Sequence, residues 1–320
     1  MRWRDFVLQL RGDLVFDVGV YNGDDTAYYL FKGYRVLAIE ADPSLMAGLR
    51  ARFAAEIARG QLQILNIALA PTRGSVPFWI CEGYSLWNSL DRETASRMGR
   101  TARAVDVECW PLRDLLAHYG VPHYLKLSLH GAEHFCLADL DPEALPTYVS
   151  LELPRDVGQS DEVFSRLLDL GYGASKIIDQ TNQRQFVSPQ TITGRLRGAL
   201  KRHPRLQHTC EKTVGVGRRL LRSVWERQSG EASGAQEAGQ QWIFPEGSSG
   251  PFGEETDGDW RTTADAYADW KFFLKDGSAH RSHNLSVWHD LHAMRTNPTA
   301  SAHESGAARA RGAVGPATAA

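Results

Sequence analysis

Short apolar runs alternate with longer mixed segments through the first 180 residues, and this alternation sets the reading of the chain. Leu14-Val15-Phe16-Asp17-Val18 is an apolar run interrupted by one acid, the pattern of a strand covered on both faces. Runs from Tyr34 to Ile39, Leu62 to Ile67, Tyr124 to Leu129, Tyr148 to Glu152 and Ala174 to Asp179 repeat it, and Arg103 to Cys109 reads as a further strand. Ser75 to Ile80 is expected at a sheet edge, because Pro77 cannot donate to a central ladder. Between these runs lie helical patterns. Ala27 to Lys32 is ended by Gly33, and Pro111 to Tyr119 runs from a proline start to Gly120. Pro43 to about Arg59 reads as one helix, with Leu45, Leu49, Phe53 and Ile57 forming a core stripe. Two more helices follow, one running to about Leu140 and one from Ser160 to Leu170, capped by Ser160 or Asp161. Residues 1–12 are expected to form a short amphipathic covering helix. The whole alternation predicts an α/β fold, a doubly wound sheet with helices on both faces.

Beyond residue 185 the pattern changes. The expected organisation is a main domain over 1–185, a basic helical insertion and linker over 186–240, a C-terminal segment over 241–296 that packs on the main domain, and a disordered tail over 297–320. The basic stretch from Arg195 to Arg227 has only Glu211 and Glu226 against its many Lys and Arg side chains. It suits an anionic ligand or a membrane surface, but a solvated helical insertion is the preferred reading. Gly247 to Gly258 is a glycine-, serine- and acid-rich loop able to lie over a site. Tyr267, Trp270, Phe272, Phe273 and Leu274 pack a helix. His280, His283, His289 and His292 form two i,i+3 pairs, but no acid-and-cysteine framework accompanies them, so surface or packing roles are expected and no metal site is assigned.

The totals narrow the function classes. A chain of 320 residues with net charge -2 is not expected to bind nucleic acid generally. Its four cysteines are widely spaced and form no CxxC pair, which fits a reducing compartment better than a disulfide framework. No apolar run approaches the ~18 residues of a membrane span. The N-terminal residues carry no apolar secretion core, so a soluble cytoplasmic protein is expected.

Candidate chemistry concentrates at the first turn. Gly19 and Gly23 bracket it, and glycine lets backbone approach a ligand closely. Asp24, Asp25 and Thr26 can cap and charge-complement the helix that follows. Glu40 stands about 20 residues after Gly19, at the end of the next strand, where an acid can accept hydrogen bonds from ribose hydroxyls. Asp17 would repel a pyrophosphate but suits the ammonium end of S-adenosylmethionine. That cofactor is therefore preferred over a nicotinamide, whose fingerprint needs a third glycine, and over a purely structural turn. In doubly wound sheets ligands bind at the carboxyl ends of the strands. Asp17, Glu40, Asn66, Ser128, His130 and Glu152 all lie at such ends, with Asn66 and Ala68 on the expected adenine side. The Gly83–Arg100 loop, with Trp87, Asn88 and Ser89, can cover a substrate or lie on the surface.

The segments DVGVYNGDDTAYYLFKGYRVLAIEADP, ILNIALAP, NSL, YLKLSLHGAE and YVSLE, in this order and spacing, resemble the FkbM family of S-adenosylmethionine-dependent methyltransferases over about residues 14–180. GSSGPFGEETDGDW and VWHDLHA resemble the tail of its longer members. The resemblance implies a doubly wound Rossmann-like methyltransferase sheet with a C-terminal extension, acting on a hydroxyl of a sugar, lipid or natural product. It also implies that Asp17, Gly19 and Gly23 form the first cofactor motif, Glu40 the ribose-binding acid and Asn66 the adenine side. Where the family usually reads K-I-D-x-E-G, this chain has Lys126-Leu127-Ser128-Leu129-His130-Gly131, so both acids are replaced. Ser128 cannot act as a carboxylate base. His130 is then the best-placed base candidate, and Glu152 can orient substrate. Glu133 is expected to be a helix-start acid and His134 a surface residue. Three readings stand: an O-methyltransferase, a family member that keeps the cofactor pocket without catalysis, and a nicotinamide-dependent enzyme disfavoured by Asp17.

Overall fold

The computed structural model describes residues 10–188, 242–245, 247–275 and 288–296. The chain divides into one unit formed by Met1–Phe186 with Phe244–Ala320 and a second formed by Val187–Ile243. The basic stretch 195–227, His280, His283 and the tail from Asn297 lie outside the described residues.

In chain order the first unit contains strand β1 (Leu10–Val18), helix α1 (Asp24–Phe31), β2 (Arg35–Ile39), helices α2 (Met46–Arg52) and α3 (Ala54–Ala58), β3 (Leu62–Leu65), β4 (Ala68–Leu69) and β5 (Gly74–Cys81). There follow α4 (Arg92–Ala95), β6 (Ala102–Trp110), α5 (Leu112–Tyr119), β7 (Val121–Leu127), α6 (Glu133–Ala138), β8 (Tyr148–Glu152), α7 (Val157–Asp169) and β9 (Ala174–Asp179). The last elements are β10 (Arg184–Gln185), β11 (Arg261–Thr262), helix α8 (Thr263–Lys275) and β12 (His289–Met294).

The main sheet has the order β10-β9-β12-β8-β7-β1-β2-β3, with β11 paired to β9. Strands β3, β2, β1, β7 and β8 are parallel, as their helical crossovers require. The order reverses between β1 and β7, so the crevice above those two strand ends is the place where ligands bind in such sheets. A second sheet, β4-β6-β5, stands apart, and β5 with its Pro77 is an edge strand there as the sequence predicts.

Several elements depart from the sequence pattern. Residues 10–12, expected to close a leading helix, begin β1, because Leu10 and Arg11 pair with Val121 and Pro122 of β7. The single helix expected over 43–59 breaks at Phe53 (φ -111°, ψ 26°), and Ile57, expected in the core stripe, is exposed. Phe53 instead turns its ring under the first glycine turn. Helix α7 starts three residues earlier than expected and is capped by Asp156, whose carboxylate accepts the Gln159 N–H at 2.9 Å. Ser160 rather donates to the Pro154 carbonyl and accepts from Trp270 Nε1 of α8.

The largest departure is β12. It inserts between β8 and β9, antiparallel to both, so the C-terminal segment is part of the sheet as well as packed upon it. Its alternation is apolar on one face, where Leu291 and Ala293 join the core, and polar on the other. The polar side belongs to a lateral row that runs Asp17, Lys126, Ser150, His292, Lys176 across five neighbouring strands, all buried. The 247–258 segment covers this row. Phe252 stacks on Tyr124 with ring centroids 4.0 Å apart, and Lys176 Nζ donates to Thr256 Oγ1 at 2.9 Å. Among the described residues no helix is long and apolar enough to cross a membrane.

Leu291 is fully buried and its strand bridges two others, so Leu291→Ala is expected to lower unfolding free energy by about 2–5 kcal/mol. Urea unfolding followed by circular dichroism measures this, and a loss within the scatter of surface substitutions would show that β12 does not hold the sheet.

Candidate active site

The site is built on a buried ion cluster. Asp17, near the end of β1, pairs in register with Lys126 of β7. Its carboxylate is fully buried and accepts from Lys126 Nζ at 3.0 Å and from Thr26 Oγ1 at 2.5 Å. Lys126 Nζ also lies 2.9 Å from Asp25 and donates to the Gly19 carbonyl at 3.3 Å. Burial opposes the charge on Lys126, but the two carboxylates outweigh it and hold the ammonium ionised well above its usual range. Burial pushes Asp17 upward against the pull of Lys126. Asp17 is therefore not a cavity wall. The sequence reading gave it the ammonium end of a cofactor, but a lysine on the adjacent strand claims it, and Asp25 and Lys126 line the cavity in its place. The expected capping by Asp24, Asp25 and Thr26 is also replaced. The N-cap is Gly23 with no side-chain cap, Asp24 pairs with Arg52 at 2.8 Å, and Asp25 and Thr26 serve the ion cluster.

The turn above the cluster needs its glycines. Gly19 (φ 77°) packs on the Ser128 backbone so closely that a Cβ would fall on the Ser128 carbonyl oxygen. Gly23 (φ 85°) sits on the Phe53 ring with no room for a side chain. The same turn presents the Tyr21 N–H to Glu40, which accepts it at 2.7 Å and the Asp42 N–H at 2.8 Å. Glu40 lines the cavity at the end of β2. Burial pushes its pKa up to about 7 despite those two bonds. Asn66, assigned to the adenine side, is not brought to the cavity. Its amide donates to the Glu40 and Ala41 carbonyls at 2.8 and 3.1 Å, so it fixes the loop that presents Glu40, while Ile67, Ala68 and Leu69 form the wall.

The other end of the cavity lies above β7 and β8. Ser128 lines it, and His130 (φ 51°) follows in a left-handed turn. His130 Nδ1 is 3.1 Å from Glu152 Oε2. Burial lowers the His130 pKa, but the hydrogen bond and charge of Glu152 outweigh it and raise the pKa above its ordinary value. Burial pushes Glu152 up, and His130, Arg97 and Arg155 together bring it below its ordinary value. Glu133 is buried and accepts the Leu129 and Gly131 N–H groups, each at 2.8 Å, which shapes the turn that carries His130. His134 is exposed, with Nδ1 2.9 Å from the Gly131 carbonyl.

Two loops complete a cavity of about 420 Å³. Tyr84, Trp87, Asn88 and Arg97 come from the segment after β5, which Asn88 ties to the loop after β2 through Asp42 at 2.8 Å. Gly247, Ser248 and Ser249 come from the C-terminal segment. There Ser248 Oγ donates to Asp25, and the Ser249 N–H lies 3.1 Å from each Asp25 oxygen. Sequence reasoning missed Lys126, Asp25 and Arg97 as site residues. The available signal for Lys126 was a lysine inside an otherwise apolar strand, which must meet a buried acid. His289 and His292 are interior residues of β12, pulled down by burial to about 4 and about 3.

Residues 17–173 match the family described as the methyltransferase FkbM domain. The chain thus carries a domain of the FkbM methyltransferase family, and its sheet is the Rossmann-like form expected of one. No curated protein matches the chain. Among solved structures it is similar to the methyltransferase FkbM from Methylobacillus flagellatus KT, at 14% identity over 50% of this chain and 37% of that one, with a TM-score of 0.36. It is also similar to phosphoethanolamine N-methyltransferase 2 of Haemonchus contortus, solved with S-adenosyl-L-methionine. There the identity is 9%, the coverage 92% of this chain and 51% of that one, and the TM-score 0.32. The chain spans 37% of the length of the Methylobacillus protein structure.

Removing the cation from the cluster would leave two buried carboxylates facing each other. Lys126→Met is expected to cost about 3–5 kcal/mol, while Asp24→Asn, at an exposed pair, should cost less than about 1 kcal/mol. Denaturant midpoints of the two variants decide it, and equal, small losses would mean that the cluster does not anchor the site.

Proposed function

We propose that this protein is an S-adenosylmethionine-dependent methyltransferase acting on a hydroxyl oxygen of a sugar, lipid or natural product, with His130 as general base. The observation that carries the cofactor assignment is Glu40. Its carboxylate lines the cavity, and each oxygen accepts only one backbone N–H, which leaves lone pairs for ribose hydroxyls. The close Gly19 turn and the apolar wall of Ile67, Ala68 and Leu69 fit an adenosyl group beside it. Asp25 lines the same cavity, with its oxygens held by Lys126, Ser248 and Ser249. When bound, S-adenosylmethionine supplies a methyl group activated by its positive sulfur.

This chain's residues then have defined tasks. Glu152 holds His130 Nδ1, so in the neutral imidazole Nε2 keeps the lone pair. Nε2 takes the acceptor hydroxyl proton as the oxygen gains the methyl group, and Glu152 balances the imidazolium charge. Ser128 lies between the glycine turn and His130 and can hydrogen-bond a group there. The second reading, a member that binds the cofactor without catalysis, starts from the missing acids at 128 and 130. The pairing of His130 with Glu152 favours activity, because it returns a proton acceptor to that position.

Calorimetric titration with S-adenosylmethionine, S-adenosylhomocysteine and NAD tests the assignment. Binding of the adenosyl-sulfur ligands alone, lost in Glu40→Ala, is the expected result, and binding of NAD instead would reject it. The carboxylate form of Glu40 is the one that accepts from the ribose, so S-adenosylhomocysteine affinity should be full above pH 7 and fall as pH drops through about 7. Glu40→Gln should bind weakly at all pH values, and an unchanged pH dependence in it would place the titrating group elsewhere. With an acceptor found by screening labelled methyl transfer, His130→Ala should reduce turnover by ~10²–10⁴-fold while leaving S-adenosylhomocysteine affinity intact. Unaltered turnover would remove His130 from the chemistry.

A further inference from the structure

Two cations in the cavity, Arg97 and Arg155, are not used by this mechanism. Arg97 lines the wall beside the His130–Glu152 pair, on the loop that also contributes Tyr84 and Trp87. Its guanidinium lies over the Trp87 ring, with Cζ 4.4 Å from the centroid, and Trp87 itself is buried and braced edge-on by Tyr84 at 4.8 Å. The stacking fixes the plane of the guanidinium and leaves its edge for hydrogen bonds. Arg97 Nε is sealed from solvent and has no acceptor among the described residues. The nearby carboxylate of Glu152 is engaged by His130 instead. Arg155 lines the same end of the cavity, near enough that its charge opposes that of Arg97.

A buried donor without a partner is costly, and a planar fork held against an aromatic face is the form that binds carboxylate or phosphate. Arg97 contributes nothing to the glycine turn or to Glu40, which lie at the cofactor end. We propose that Arg97 is a specificity-determining residue that binds an anionic group, carboxylate or phosphate, on the methyl acceptor, and so turns the acceptor hydroxyl toward His130. This rests on the methyltransferase reading above and narrows its acceptor class to acidic hydroxy compounds. The anion then binds the guanidinium edge that faces the cavity and adds a counter-charge there. A neutral acceptor of the same shape would offer that edge no charge-assisted hydrogen bond, which is the larger part of the discrimination.

The test uses full-length protein labelled with ¹⁵N, in which the Arg97 Nε–H resonance is identified by its loss in Arg97→Lys. Inorganic phosphate, glucose 6-phosphate, glucuronate and neutral glucose are titrated with and without S-adenosylhomocysteine. The expected result is a saturable shift of the Arg97 resonance with phosphate-bearing or carboxylate-bearing probes and none with glucose, and the arm that responds identifies the anion. In Arg97→Gln the anion affinity should fall about tenfold or more, the scale of a lost charge-assisted hydrogen bond. No shift with any anion, an equal shift with glucose, or undiminished anion binding by Arg97→Gln overturns the proposal. The S-adenosylhomocysteine titration of the wild type separates the two readings. If it binds and the anions do not, only the acceptor assignment fails; if it does not bind, the methyltransferase reading fails by itself.

Discussion

The site depends on one almost wholly buried lysine. Lys126 lies within a strand whose neighbours Tyr124, Leu125 and Leu127 are all buried. An isolated ammonium there would be driven to lose its proton. Asp17, Asp25 and the Gly19 carbonyl surround it, and each comes from a different stretch of chain: β1, α1 and the turn between them. The ion cluster therefore fixes the position of helix α1 relative to the strands. Asp25 then extends the effect, because it also holds Ser248 and Ser249 of the C-terminal segment. Two walls of the cavity are bound to the same charge.

The polar row across the sheet follows from the same constraint. Once Lys126 is buried, the positions beside it on the row face a polar neighbour. Ser150 is bonded to the Tyr124 hydroxyl at 2.6 Å, and Lys176 is held by Thr256. His292, between them, is kept neutral by burial and by the charge of Lys176. The 247–258 segment supplies the partner of Lys176 and the aromatic cover over Tyr124. The C-terminal extension is thus a structural complement of the first half of the chain.

Local pattern made much of this legible. Strands β8 and β9 start and stop where their apolar runs do, and the turn glycines and Glu40 are recognisable from spacing within one βαβ unit. What depended on distant partners was not. His-Asp-Leu-His-Ala-Met does not read as an interior strand until it is paired with Ser150 and Lys176, which lie over a hundred residues earlier. The helix breaks at Phe53, whose ring packs beneath Gly23. Asp17 lies near a strand end as its pattern predicts, and its contact with Lys126 depends on a strand over a hundred residues away. Asn66 lies next to the site and points its amide into the backbone of the Glu40 loop. Arg97 was hidden in a loop whose composition is that of ordinary surface.

A histidine at position 130 has a physical logic in this setting. Glu133 and Glu152 both lie close by, and the charge of Glu152 already helps to push Glu133 upward. A third acid at 130 would face two like charges under partial burial, and at least one of the three would take up a proton. An imidazole avoids that conflict. It gains from Glu152 a fixed tautomer and an elevated pKa, and Arg97 opposes the elevation. The two influences hold the group nearer to neutrality than Glu152 alone would leave it. On the proposed mechanism, in which His130 takes the acceptor proton, a base that must first be unprotonated benefits from that opposition. An anion held on Arg97 would relieve it as the acceptor settles, and the base would then be strengthened at the moment its proton is within reach.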